Sequence, residues 1–442
     1  MAKIAPLSGF PEWLPESRLA EQAVLDTLRK TFELHGFSGI ETRAVEPISQ
    51  LLAKGETSKE IYLLSRLQDL DGSKAPELGL HFDLTVPLAR YVLEHAGHLD
   101  FPFRRYQIQK VWRGERPQDG RFREFYQADV DVVGQDTLAF HHEIELPLVM
   151  VDALGKLPLP KITIHASNRK VAQGFYEAIG IENIEETLRI IDKLEKVGPR
   201  AVQQMLAANV GATDAQITAA LSLAQIRAND ASVADQVLAL GYRNELLETG
   251  LDELVRLVEG ANELIPGSLI ANLQIARGLD YYTGSVYESV MDGHEDLGSV
   301  CSGGRYDSLV SDGKRTFPGV GLSIGVSRML SRVISQGVIG ASRKVPTVVL
   351  IAVNDENARA HAAKTAMILR RRGIAAEVSP SSAKFGKQIK YADKRGIPYV
   401  WFTTEDGEQV KDIRSGAQST VDIADWMPPV ADLYPQLVSE NF

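Results

Sequence analysis

Between positions 19 and 35 the apolar side chains fall at Leu19, Ala20, Ala23, Val24, Leu28 and Phe32. That i, i+3, i+4 recurrence predicts an amphipathic helix. Gly36 stops it, an extended stretch follows from Phe37 to Val45, and Pro47 closes that stretch. Short β-rich segments come next, at 79–85, 104–113 and 122–134. In Tyr106-Gln107-Ile108-Gln109-Lys110-Val111 apolar and polar residues alternate, which predicts a half-exposed strand. With the 122–134 segment and a turn over 114–120, it predicts an antiparallel hairpin.

From about 181 to 268 the pattern changes to Leu, Ala, Glu and Gln, with Tyr242 the only aromatic residue. A small helical insertion is expected there. β-type signals return at 271–275 and 285–290, and a strand followed by a helix is expected over 319–339. A polar stretch, 340–344, leads to Pro346. Val345 to Val353 is then a continuous apolar, β-branched run, as in a strand buried on both faces. Helix (355–372), strand (374–378), helix (384–395) and strand (398–403) complete an α/β domain of about 100 residues.

The chain has 442 residues, enough for about three domains. Apolar residues make up 44% and charged residues 24%, which excludes a disordered or fibrous protein. The single cysteine, Cys301, excludes an internal disulfide framework and a multi-cysteine zinc site. No apolar run approaches the roughly 18 residues of a bilayer span, and Met1-Ala2-Lys3-Ile4 opens no signal peptide. A soluble, cytoplasmic chain without a membrane partner is expected.

The net charge of −10 argues against a nucleic-acid partner, yet the charge is locally inverted. Within 104–123, Arg104, Arg105, Lys110, Arg113, Arg116, Arg121 and Arg123 meet only Glu115 and Asp119. Arginine's planar fork matches carboxylate and phosphate. On a hairpin, alternate residues share a face, so Arg113 on one strand and Arg121 or Arg123 on the other can hold one anionic ligand. A solvated basic face is the bland alternative.

The order Arg113-Gly114-Glu115, loop, Arg121-Phe122-Arg123-Glu124-Phe125 resembles motif 2 of the class II aminoacyl-tRNA synthetases. Gly319 to Arg328 resembles motif 3, and the helix–strand–Pro47 unit is compatible with motif 1. Two further segments resemble the signatures of the histidyl-tRNA synthetases: Arg277-Gly278-Leu279-Asp280-Tyr281-Tyr282-Thr283-Gly284 and Ser302-Gly303-Gly304-Arg305-Tyr306-Asp307. Read singly, each is only a strand end or a bend.

The resemblance implies an α+β fold with a class II antiparallel sheet flanked by helices. Residues 1–172 and 268–335 would form the catalytic core, 173–267 a helical insertion, and 345–442 an α/β anticodon-binding domain. It implies a histidine–tRNA ligase that makes histidyl-adenylate from L-histidine and ATP and transfers histidine to the 3′ end of tRNA(His). Mg²⁺ on the outer phosphates and a homodimer paired through motif 1 are implied as well. No metal-ligand cluster is visible in the sequence.

By the same resemblance, Arg113 would bridge the histidine carboxylate and the α-phosphate, with Arg277 on that phosphate from the other side. Glu115 would lie near adenine, and Arg121 and Arg328 on the γ-phosphate. Asp83, Thr85 and Gln127 would hold the α-amino end of histidine, and Asp131, Tyr281 and Tyr282 the side chain. Familiar bacterial members carry Glu at positions 83 and 131; other branches carry Asp.

His141-His142-Glu143 lacks the second histidine of metalloprotease spacing and reads as a helix surface. Cys301 reads as a small buried residue. Lys384, Lys387, Lys390 and Lys394 recur at helical spacing beside Arg395, a face available for tRNA phosphates, with Tyr391 or Tyr399 as candidate base stackers. The rival reading is a non-catalytic, histidine-sensing regulatory paralogue. Such chains typically lack the anticodon domain and lose motif arginines, whereas Arg113, Arg121, Arg277 and Arg328 are all present here.

Overall fold

The computed structural model describes residues 5–52, 60–69, 75–276, 282–311, 313–405 and 407–439. Arg277 and Tyr281 of the expected site lie outside these. By its internal contacts the chain divides into two units, residues 1–11 with 27–332, and residues 12–26 with 333–442.

The first unit is built on nine strands: β1 (Ser38–Gly39), β2 (Phe103–Trp112), β3 (Glu124–Val133), β4 (Ile162–Asn168), β5 (Arg227–Ala228), β6 (Leu269–Asn272), β7 (Ser285–Met291), β8 (Cys301–Tyr306) and β9 (Gly319–Gly325). Their order across the sheet is β1-β2-β3-β9-β8-β7-β4-β6-β5. The pairings from β2 through to β4 are all antiparallel, and β1 on β2 and β6 on β4 are parallel. The expected hairpin is β2–β3, with Arg105 opposite Asp131 and Gln107 opposite Asp129.

β3 explains why the alternation misleads. Ala128, Val130 and Val132 are fully buried on one face, but Gln127, Asp129 and Asp131 on the other are buried as well. β2 is half exposed as expected, with Ile108, Gln109 and Lys110 only partly buried, but Arg105 and Gln107 are 0% exposed. Those two polar positions face a protein interior that is itself polar, not water.

The N-terminal helix α1 runs Pro15–Leu34, close to the expected span. Gly36 ends it at φ +77, a left-handed conformation that suits glycine; Phe37 N then donates to Phe32 O at 3.0 Å. Helices α2 (Thr85–His95), α3 (His141–Gly155), α4 (Arg169–Ala178) and α5 (Glu245–Leu264) lie in the first unit. The start of α6 (Val326–Ser335) follows β9 directly. Helix α3 packs on β3, β4 and β9 through buried Leu146, Val149, Met150 and Ala153. Between α4 and α5 the chain is short helices apart from β5, as its composition predicts.

A small sheet of Val45–Pro47, Leu63–Leu64 and Leu78–Leu80 leads into Asp83. It is tied to β2 where Trp112 N donates to His81 O at 3.0 Å. Asp83 Oδ1 accepts from Val86 N at 3.0 Å, so the carboxylate caps the start of α2.

In the second unit, strands β10 (Val349–Ile351), β11 (Ala376–Val378), β12 (Tyr399–Thr404), β13 (Gly407–Asp412) and β14 (Gln418–Thr420) are ordered β11-β10-β12-β13-β14. β10 is parallel to both neighbours. It is buried on both faces: Val349 and Ile351 pack with Ala366, Leu369 and Trp401, and Leu350 packs with Ala392, Val400 and Phe402. Helices α7 (Arg359–Arg371) and α8 (Phe385–Arg395) are the expected pair. The antiparallel β13 and β14 add to the three strands read from sequence.

Candidate active site

Two adjoining cavities open on the polar face of β3 and β9. The larger, about 260 Å³, is lined by Arg113, Glu115, Arg121, Phe125, Gln127 and Arg328, among others. The smaller, about 100 Å³, is lined by Asp83, Thr85, Asp129, Asp131, Tyr282 and Tyr306, among others. Arg113, Gln127, Ser302 and Ser323 line both. Every site residue expected in the first unit and described is therefore brought to one of two connected spaces.

Arg113 stands where they meet. Its Nε donates to Phe82 O at 2.9 Å, and its guanidinium carbon lies 5.2 Å from the centre of the Phe125 ring. Its own N–H donates to Arg123 O at 2.9 Å, continuing the hairpin one step beyond β2. Arg123 Nε donates to Glu115 O at 3.2 Å, and Arg121 Nη1 lies 3.5 Å from Glu115 Oε2. The turn is thus closed at its base while Arg121 stays half exposed. Arg328, in the first turn of α6, donates from Nη1 to Ser299 O at 3.0 Å. Three arginines and two aromatic side chains, Phe122 and Phe125, around a single cavity suit a polyanion with a flat base.

In the smaller cavity Gln127 Nε2 donates to Ser323 Oγ at 2.8 Å, leaving its buried Oε1 without a partner. Asp131 Oδ2 lies 2.7 Å from Arg105 Nη2, and its Oδ1 accepts from Tyr306 OH at 2.8 Å. Arg105 is 0% exposed. It is therefore not part of a basic surface but a buried counter-charge. Asp129 Oδ2 stands 4.0 Å from the same Arg105 Nη2. Burial raises the Asp129 carboxyl to about 7; Arg105 pulls against this, Asp131 adds to it, and the Ser323 hydroxyl lowers it.

The sequence assigns no site role to Arg105, Asp129, Tyr306, Ser302 or Ser323, although Arg105 stands in the basic run and Ser302 and Tyr306 in a signature segment. The usable signal was the cross-strand match of Arg105 and Gln107 with two aspartates, which a charge count alone conceals. His141-His142-Glu143 needs correction: Glu143 is 1% exposed, not on a surface. Its Oε1 lies 2.8 Å from Arg305 Nη1, and its carbonyl accepts from Tyr287 OH at 2.7 Å. The signature arginine Arg305 also pairs with Asp307 at 3.0 Å, so it holds β8 to α3. Cys301 is buried and its thiol is pushed up by burial, as expected of an inert residue.

In the second unit Lys384, Lys387, Lys390 and Lys394 are all exposed along α8. Tyr399 is 6% exposed and its hydroxyl donates to Asp432 Oδ2 at 2.7 Å, which removes it as a base stacker. Tyr391 OH donates to Glu377 Oε1 at 2.8 Å. Among the described residues no group of three or more His, Cys, Asp or Glu side chains is arranged to hold a metal ion, and no helix is long and apolar enough to cross a membrane.

Comparison with known proteins agrees with this geometry. A family model described as histidyl-tRNA synthetase matches residues 9–329, and one described as an anticodon binding domain matches residues 347–432. The chain is 57% identical to a histidine–tRNA ligase of Micrococcus luteus and 53% identical to one of Cutibacterium acnes, each alignment covering 99% of both chains. A crystal structure of histidyl-tRNA synthetase from Nostoc sp. PCC 7120 matches with a TM-score of 0.85 at 34% identity, over 95% of this chain and 97% of that one.

Proposed function

The chain belongs to the histidyl-tRNA synthetase family, and we propose that it is an ATP-dependent histidine–tRNA ligase whose two steps run in the paired cavities. In the first step a carboxylate oxygen of L-histidine attacks the α-phosphorus of ATP. The bond from that phosphorus to the β-phosphate oxygen breaks, giving histidyl-adenylate and pyrophosphate. In the second, a terminal ribose hydroxyl of tRNA(His) attacks the acyl carbon, loses its proton and releases AMP.

The observation that carries this reading is the position of Arg113 between an arginine-lined cavity and a carboxylate-lined one. Nucleophile and target are both anionic, so attack needs a fixed cation between them; positioning and charge stabilisation do the rest. Arg113 supplies that charge, with its fork oriented by Phe82 O and Phe125. Phe125 offers the adenine a stacking face and Glu115 accepts from its amino group. Arg121 and Arg328 hold the γ-phosphate, and Arg277 approaches the α-phosphate from its signature segment. Mg²⁺ arrives as part of the substrate MgATP, held by phosphate oxygens and water as is usual for that ion.

Asp83, Thr85 and Gln127 receive the α-ammonium; the orphaned Gln127 Oε1 supports this. Asp131, Tyr281 and Tyr282 enclose the imidazole. A site that hydrogen-bonds both ring nitrogens rejects isosteres by leaving its own polar groups unpaired.

Residues 1–172 with 268–335 serve as catalytic core, 173–267 as a helical insertion and 345–442 as the anticodon-binding domain, with the exposed lysines of α8 meeting tRNA phosphates. Pairing of two chains through motif 1 and a cytoplasmic location, where tRNA is charged, complete the proposal. The test is ATP-dependent charging of tRNA(His) with labelled histidine by the full chain. Acid-precipitable label is expected, and none with intact tRNA would reject the reading.

A further inference from the structure

The tip of the turn between β2 and β3 is tied down from outside the hairpin. Gln118 N donates to Arg121 O at 3.2 Å and Arg121 N to Gln118 O at 2.9 Å, so Asp119 and Gly120 are its central pair, with Gly120 at φ +67. Asp119 Oδ2 accepts from Arg332 Nη2 at 2.8 Å. The same guanidinium donates to both oxygens of Asp296, from Nη1 at 3.1 Å and from Nη2 at 2.9 Å. One arginine of α6 therefore joins the turn to the short helical segment Glu295–Leu297.

Beside that bridge the contact is apolar. A Cβ on Gly120 would stand 2.4 Å from Leu297 Cδ1 and 3.2 Å from Arg328 Cγ, so the turn sits directly on both side chains. Gly120, Arg121, Ser299 and Arg328 line the larger cavity, whereas Asp119, Asp296 and Arg332 line neither cavity. The triad lies outside the wall whose shape it holds. Both carboxylates are largely exposed, at 73% and 69%, and the arginine is 12% exposed. Ion pairs with so much solvent around them are weak and screened by salt. Two carboxylates on one planar fork fix direction more than they add stability.

Resting on the reading that this cavity holds ATP, we propose that Asp119, Arg332 and Asp296 form an ionic clasp that seats the turn and so positions Arg121 for the outer phosphates. Arg121 follows Gly120 directly, and its half-exposed side chain meets Glu115 at 3.5 Å, a contact too long to fix it. With the clasp open, the turn keeps the bonds at its base, Arg113 N to Arg123 O and Gly114 N to Glu60 O. Its tip then swings on that base and carries Arg121 with it. Arg332 touches no substrate in this account and is a positioning residue.

The test uses the full-length chain with Asp119→Asn, Arg332→Gln and the two combined, measured by histidine-dependent ATP–pyrophosphate exchange. Each single change should raise KM for ATP by about five- to tenfold at unchanged KM for histidine. The combined variant should be no worse than the worse single one, since both remove the same clasp. The ratio of variant to parent KM should fall toward one at about 1 M salt, where charges are screened within about 3 Å. Trypsin supplies a readout independent of activity: cleavage after Arg121 should be several times faster in Arg332→Gln than in the parent at low salt, with the melting temperature unmoved.

Unchanged cleavage in Arg332→Gln would overturn the clasp itself. Faster cleavage with parental KM for ATP, or a KM ratio that salt does not alter, would overturn its role in positioning Arg121. Additive losses in the combined variant would do the same. No histidine-dependent exchange in the unaltered chain would instead sink the reading of the cavity, and the cleavage rates would still decide whether the clasp holds the turn.

Discussion

A Cβ on Gly321 would stand 1.9 Å from Asp131 Oδ1, its direct partner across β9 and β3. The backbone of β9 is therefore cut back at that point to let a carboxylate lie flat on the sheet. Gly321→Ala should displace Asp131 and with it Arg105. KM for histidine should rise about 10²-fold, and stability should fall by about 1–3 kcal/mol. Histidine-titrated exchange and a thermal melt measure the two, and an unchanged KM would refute the role given to that contact.

Arg113 joins the two cavities and its removal should be a defect of chemistry. Arg113→Ala is expected to lower adenylate formation by about 10²–10³-fold, comparable to removing one preorganised charge-stabilising donor. Single-turnover adenylate formation tests this. A loss confined to KM for ATP would make Arg113 a binding residue only.

How much of this could be read in advance differs by element. The β2–β3 hairpin, α1 and the buried strand β10 follow from local periodicity and were legible. Strand β8 was not: Ser302-Gly303-Gly304 has the composition of a bend, and it is extended because β7 and β9 flank it on both sides. The arginines of the larger cavity were found through their motif spacing. Arg105 and Asp129 were hidden because their meaning lies in cross-strand register, and Glu143 because Arg305, its partner, is distant in sequence.

Glu143 and Arg305 form an ion pair with the carboxylate 2% and the arginine 19% exposed. Glu143→Ala would leave Arg305 largely buried with only Asp307 beside it. A loss of about 3 kcal/mol is expected, read by urea denaturation, with KM for ATP little changed. A loss below about 0.5 kcal/mol would contradict the structural role assigned to this pair.

Burial raises the Glu145 carboxyl, but Arg104 and His142 outweigh it and hold it down to about 2. A depressed native value stabilises the fold above the usual value of 4.5 and loses that contribution as pH falls toward 2. Because the pair is about a third exposed to solvent, about 1 kcal/mol is the expected scale. Arg104→Met should lower stability at pH 6 by about that amount more than at pH 2, where only the loss of its bond to His35 O and its contact with the Phe37 ring remains. The same deficit at both pH values would exclude the ionic explanation.

Reversing the charge of Lys387, Lys390 and Lys394 to Glu should weaken tRNA charging at least about tenfold and flatten its salt dependence. Histidine-dependent exchange without tRNA should stay within about twofold of the parent. Equal losses in both assays would remove α8 from tRNA binding.

The most direct test of the whole account is ATP–pyrophosphate exchange by the purified chain, with each of the 20 standard amino acids supplied singly. Exchange with histidine alone is the predicted result. Exchange with a different amino acid, or with none while histidine still binds, would contradict it.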